Sequence, residues 1–137
     1  MKPLTQPELE TLCAEWQTIL GLSDWYVEIE INRKENFCKG KFQGKWLNGL
    51  NSPNLQTKAA FINIIDPVDY PDSAILPQDM EETLVHELLH LHTCNYHHKF
   101  DEDSLELEQT VELMARAFVK LKRQKQGHNG TIYKPKE

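Results

Sequence analysis

The run Asp79–His92 constrains this chain most, because it must be a helix and that helix must be buried. It contains no Gly or Pro and follows Pro77. Asp79 with Glu82 three residues on reads as a capping box, and acids in the first turn suit the helix dipole. On a wheel of about 100° per residue, Leu84, Val85, Leu88, Leu89 and Leu91 cover most of the circumference, which marks a central helix. Inside it lies His86-Glu87-Leu88-Leu89-His90. Positions i and i+4 share one face, so His86 and His90 can reach a single metal ion. Glu87 sits about 100° away, at the rim, where a carboxylate can hold a metal-bound water. Two imidazoles and a carboxylate in so apolar a helix are costly without partners, and a metal supplies one. A solvated helix carrying the same five residues by chance would not be this apolar.

A catalytic zinc usually takes three protein ligands and leaves a fourth position for water. The metzincin pattern, Gly three and His six residues after the second His, is absent; Thr93 and Tyr96 stand there. The next helical acids lie in Ser104–Leu121. Leu107, Val111, Met114, Ala115, Phe118, Val119 and Leu121 form one apolar arc of that segment. Glu108 falls within the arc, Glu112 at its edge, and Glu106 points away. A carboxylate on a core face needs a cation or a metal. A surface helix whose edge acids pair with a nearby Lys or Arg is the plainer alternative.

With HELLH followed by Glu108 and Glu112 at i, i+4, the chain resembles the gluzincins, the thermolysin-like branch of the zincins. It looks most like the very small single-domain members met in phage and prophage genomes, sometimes called minigluzincins. The resemblance covers Ala59 to Leu121. It implies a glutamate ligand on the second helix and, four residues on, an acid supporting one histidine. Glu108 as third ligand with Glu112 behind it fits, and the reverse assignment stays open. It also implies a zincin-like α+β fold: an N-terminal helix, a small mixed sheet of about three strands, the HExxH helix and a C-terminal glutamate helix. In zincins an edge strand lines the cleft and pairs with extended substrate. Ala59–Ile65, the strand nearest in sequence to the metal helix, is the candidate.

The chain has 137 residues, enough for one core. Residues 1–126 are expected to form a single domain and 127–137 a mobile tail. No apolar run approaches the ~20 residues of a membrane span, and the start lacks a signal-peptide core. Cys13, Cys38 and Cys94 form no CxxC pair, which fits free thiols in a cytoplasmic protein. Cys94, four residues past His90, is read as buried rather than metal-bound. The net charge of −6 argues against a nucleic-acid partner. The basic run Lys120–Lys125 is read as complementing the helix C-terminus.

The remainder is scaffold. Thr5–Leu20 is an amphipathic helix with a Thr5/Glu8 capping box, buried through Leu9, Leu12, Cys13, Trp16, Ile19 and Leu20, and closed by Gly21. Trp25–Ile31 alternates as a half-buried strand. Lys39–Trp46 is expected as a second strand and Ala59–Ile65 as a third. Trp46–Asn54 reads as turn. Tyr70–Pro77 is a loop, and Tyr96–Asp103 joins the two helices.

The function expected is a zinc-dependent metallopeptidase acting on peptide or protein. Zn2+ held by His86, His90 and Glu108 would bring a bound water's pKa to about 7, with Glu87 as general base. For the oxyanion, Tyr70, Tyr96, His97, His98, His128 and Tyr133 are candidates. His92 lies on the wrong face. Two alternatives remain: a SprT-like protease of DNA-bound proteins, with His97 or His98 as ligand, and a zincin-fold binding module without turnover. An intact Glu87 argues against the second.

Overall fold

The computed structural model describes residues 2–37, 47–97 and 105–129, excluding the side chains of 95–97 and 127–129. The expected strand Lys39–Trp46 and the tail beyond Asn129 lie outside the described residues. The fold is α+β, with four helices and a three-stranded mixed sheet: α1 (Gln6–Ile19), β1 (Tyr26–Asn32), α2 (Lys34–Phe37), β2 (Gly49–Asn54), β3 (Ala59–Ile65), α3 (Met80–His97) and α4 (Leu105–Asn129).

Helix α1 starts as its sequence dictates. Thr5 accepts from the Glu8 N–H, and the Glu8 side chain returns to the Thr5 N–H. It buries Leu9, Cys13 and Trp16, while Ile19 is left exposed. Gly21 ends the turn with φ of +72°, a conformation that costs a Cβ-bearing residue strain.

The sheet has the order β1-β3-β2. β1 runs parallel to β3, pairing Tyr26 with Ala59 through Asn32 with Ile65. β2 runs antiparallel to β3, pairing Gly49 with Ile64 through Asn54 with Ala59. The β2–β3 turn is an Asx turn, in which the Asn54 side chain accepts from the N–H of Gln56 and Thr57.

Two expectations are corrected here. Ala59–Ile65 is the central strand, paired on both sides, and not the edge. Its buried run of Ile62, Ile64 and Ile65 is what a central strand requires. Among the described residues, the edge strand beside α3 is β2, in the stretch that reads as turn. Its Gly, Asn, Ser and Pro are poor strand formers, and pairing with β3 overrides that preference.

The helices cover one face of the sheet. α3 is the hub, touching α1, α4, β2 and β3. Leu84, Val85, Leu88, Leu89 and Leu91 are all buried, as the wheel requires. α3 continues to His97, so Tyr96 and His97 belong to the helix and not to the linker. α4 packs through Val111, Ala115 and Val119, while Met114 and Leu121 of the expected arc are exposed. It runs through Asn129, past the expected boundary at Gly127. No helix among the described residues is long and apolar enough to cross a membrane.

A charged lock fixes the end of the α3/α4 pair remote from the linker. Glu81, 9% exposed, accepts from Trp16 Nε1 and Lys122 Nζ, both at 2.7 Å, and from Arg123 at 3.2 Å. Arg123 also grips Asp79 through both terminal nitrogens, at 2.8 and 3.0 Å. The basic run therefore serves the start of α3 more than its own C-terminus. Asp79 caps α3 by accepting from the Glu82 N–H at 3.1 Å. The Glu82 carboxylate turns away toward Arg116 instead of completing the box.

Candidate metal centre

His86 and His90 lie one turn apart on α3, and α4 runs antiparallel beside them. Their Nε2 atoms are 3.2 Å apart. Glu108 places Oε1 3.1 Å from His86 Nε2 and Oε2 3.0 Å from His90 Nε2. Among the described residues, His86, His90 and Glu108 form the group of His, Cys, Asp and Glu side chains that could hold one metal ion. The spacing suits that use. Ligands about 2.0 Å from a tetrahedral ion stand about 3.3 Å from one another. Two ring nitrogens aimed at each other and at one carboxylate need something positive between them, whether protons or a metal ion.

Glu112 stands behind the group. Its Oε1 accepts from His86 Nδ1 at 2.8 Å, which leaves Nε2 facing His90 and Glu108. The wheel places Glu108 inside the apolar arc and Glu112 at its edge, with the reverse ligand assignment left open. The structure puts Glu108 among the converging atoms and Glu112 on the far ring nitrogen. Their order follows from the helix: Glu108 is one turn nearer the linker, level with His90.

The electrostatics are those of a site starved of positive charge. Burial opposes the His86 imidazolium, but hydrogen bonds to Glu108 and Glu112, with the Glu87 charge, outweigh it and push the pKa up to about 10. His90 moves the same way against the same burial, through Glu108 and Glu87. Hydrogen bonds from His86 and then His90 hold Glu108 well below the usual carboxylate range. Burial, followed by the charges of Glu112 and Asp79, lifts Glu82 to about 7.

Glu87 is 8% exposed and lies against β2. A Cβ on Gly49 would stand 3.3 Å from Glu87 Oε2 and 3.0 Å from both the Asn63 carbonyl oxygen and Thr83 Cγ2. Only glycine lets the strand approach α3 this closely. Two residues on, Asn51 Nδ2 donates to the Glu87 carbonyl at 2.8 Å. The Asn51 Oδ1 atom is buried and has no hydrogen-bond partner among the described residues.

Ile65 N–H donates to the Asn48 carbonyl at 2.9 Å, which makes Asn48 and Ile65 a hydrogen-bonded pair of the β2/β3 ladder. Alternation then turns the backbone groups of Gly49 and Asn51 outward, to the edge not paired with β3. Pro53 is the next outward position and has no N–H to offer.

The other expected residues fall as follows. His92 is exposed, and its Nε2 hydrogen-bonds to the Leu20 carbonyl at 2.6 Å, away from the cluster. Cys94 is half-buried against the core. Burial pushes the Cys13 thiol up to about 11. The Tyr70 hydroxyl donates to the Leu76 carbonyl at 2.7 Å. The side chains of Tyr96, His97, His98, His128 and Tyr133 lie outside the described residues. Sequence reasoning gives no site role to Gly49, Asn51 or Arg116, and takes Glu82 only as a capping-box residue. Glu82 and Arg116 carried a readable signal, since Glu82 precedes His86 and Arg116 follows Glu112 by four residues each.

Comparison with protein-family models, with characterised proteins and with solved structures gave no match.

Proposed function

We propose that this chain is a zinc-dependent peptidase of gluzincin type, its metal held by His86, His90 and Glu108 and its general base Glu87. One observation carries the reading: the Nε2 atoms of His86 and His90, 3.2 Å apart, each lie 3.0–3.1 Å from one oxygen of the Glu108 carboxylate beside a buried glutamate, and strand β2 lies across that glutamate. Zinc in such a site supplies Lewis acidity toward water and toward a carbonyl oxygen.

The chain's own residues do the rest. Glu112 holds the His86 Nδ1–H and so turns Nε2 to the cluster. Glu87 takes the proton of the attacking water and returns it to the departing amine. Its carboxylate is wedged between α3 and the β2 backbone, so it is aimed without needing a metal bond. Glu108, with a side chain 43% exposed, opens the cluster to solvent and to substrate. The outward backbone of Gly49 and Asn51 offers donors and acceptors to an extended chain, which would add to β2 as a further strand. Pairing ends at Pro53 for want of an N–H.

The test is metal content and turnover together. After dialysis against zinc, elemental analysis should find about one equivalent per chain, and His86→Ala should lose it. Wild type should cut unfolded protein or a mixed peptide library in a chelator-sensitive way. Glu87→Gln should keep the metal and lose ~10²–10⁴ in rate. A fully metallated protein inert across the library would instead favour the binding-module reading.

A further inference from the structure

The two helices face each other as a ladder with a rung at each turn. His90 stands opposite Glu108, and His86 opposite Glu112. Glu82, one turn before His86, stands opposite Arg116, one turn after Glu112, with Arg116 Nε 3.6 Å from Glu82 Oε1. The same Arg116 Nε donates to Glu112 Oε2 at 3.0 Å. Glu112 thus has one oxygen on His86 Nδ1 and the other on Arg116.

That second bond has a job to do. The Glu112 side chain is one-third exposed and has three rotatable bonds. Without the guanidinium it would keep only His86 and the hydrogen bond it shares with Glu82, and it would be freer to turn to water, the imidazole with it. The guanidinium removes that freedom by fixing the carboxylate plane. Glu82, on the other helix, lies 3.6 Å from the same Nε and shares a hydrogen bond with Glu112, so the cluster bridges α3 and α4 and is more than an i, i+4 pair on one surface. An ordinary exposed pair of that kind contributes little and would leave the histidine indifferent.

We infer that Arg116 is a positioning residue of the metal centre, acting on His86 through Glu112. This rests on the reading of His86, His90 and Glu108 as zinc ligands. The claim is about coupling, so its signature is non-additivity. Arg116→Gln should weaken zinc binding roughly tenfold, the low end of the ~10–100-fold range for groups behind a ligand. Glu112→Gln should cost more. The double variant should bind no worse than Glu112→Gln alone, because Arg116 then has nothing to act through. Arg116→Lys, which keeps the charge but not the planar geometry, should fall between wild type and Arg116→Gln.

The experiment is a zinc competition titration of the full chain against a chromophoric chelator, for wild type, the three single variants and the double. The visible spectrum of the cobalt-substituted protein is recorded alongside, because a purely structural role for Arg116 would leave that spectrum unmoved. A shifted cobalt spectrum and a sub-additive double variant support the inference. Additive losses, or an Arg116→Gln protein with wild-type affinity and spectrum, overturn it. Should Glu112→Gln not fold, the ordering wild type, Arg116→Lys, Arg116→Gln in affinity and spectrum decides alone. If wild type itself binds no zinc, the reading of the cluster falls first and this inference with it.

Discussion

Replacing Gly49 by alanine tests how closely β2 is held over Glu87. The added methyl would meet two atoms at 3.0 Å, the Asn63 carbonyl oxygen and Thr83 Cγ2, and Glu87 Oε2 at 3.3 Å. Two effects compete. Removing glycine's unfolded-state freedom favours the folded protein by about 0.4–1 kcal/mol. Overpacking a filled site costs about 1–3 kcal/mol. The second wins, because the backbone carbonyl and the helix-borne methyl can give only a few tenths of an ångström. The net loss should be about 1–2 kcal/mol, or roughly 3–8 °C in Tm for a chain of this size. The carboxylate is the softest of the three neighbours, so it moves furthest, and a displaced base costs rate. On the proposed function, peptide hydrolysis should fall about tenfold or more, since misplacement by ~1 Å can cost ~10², while zinc content stays at one equivalent. Thermal melts, elemental analysis and initial rates measure these three quantities. Gly21→Ala is the control: nothing lies within 4 Å of its Cβ, but φ is +72°, so it should cost about 1–2 kcal/mol through strain and spare the rate per metallated molecule. A Gly49→Ala protein with wild-type Tm and rate would refute the account of this contact.

Two further outcomes are expected. Zinc must displace protons from His86, pushed up to about 10, and from His90, so apparent affinity should rise between pH 6 and 9, by up to about tenfold per unit for each proton released. A pH-independent affinity in competition titrations would contradict this. The linkage has the opposite sign without metal: the folded pKa of His86 lies above its unfolded value of 6.5, so its contribution is complete below pH 6.5 and fades toward pH 10. Lys122→Met should leave Glu81 only Trp16 and Arg123, at a cost of about 2–3 kcal/mol by denaturant unfolding, below the ~3–5 kcal/mol of a buried pair broken outright. A loss under 0.5 kcal/mol would show that the lock contributes little.

What was legible in the sequence was what short-range geometry dictates. The Thr5/Glu8 cap, the buried wheel of α3 and the shared face of His86 and His90 need only neighbours four residues apart. Glu108 and Glu112 were legible as acids on a core-facing helix, and their different partners became visible only once α4 was aligned with α3. β2 was hidden because its composition is that of a turn and its pairing is decided by β3. The central place of β3 depends on β2 and could not be read without it. Lys122 and Arg123 sit where a helix C-terminus wants cations, and that local reading masked their longer reach to Asp79 and Glu81.

The regular spacing of Glu108, Glu112 and Arg116 limits how the two helices can be aligned during folding. Slide α4 by one turn, about 5.4 Å, and Arg116 arrives at the His86 ring while Glu112 faces His90. A guanidinium then confronts the imidazole that a carboxylate should hold. Slide it the other way and Glu108 meets His86, which leaves no α4 carboxylate opposite His90. Neither slip keeps a carboxylate on both histidines. At the far end the same slips pull Arg123 off Asp79 and Lys122 off Glu81. The His/Glu cluster and the charged lock therefore act as two marks of a vernier, and both coincide at only one setting of the helix pair.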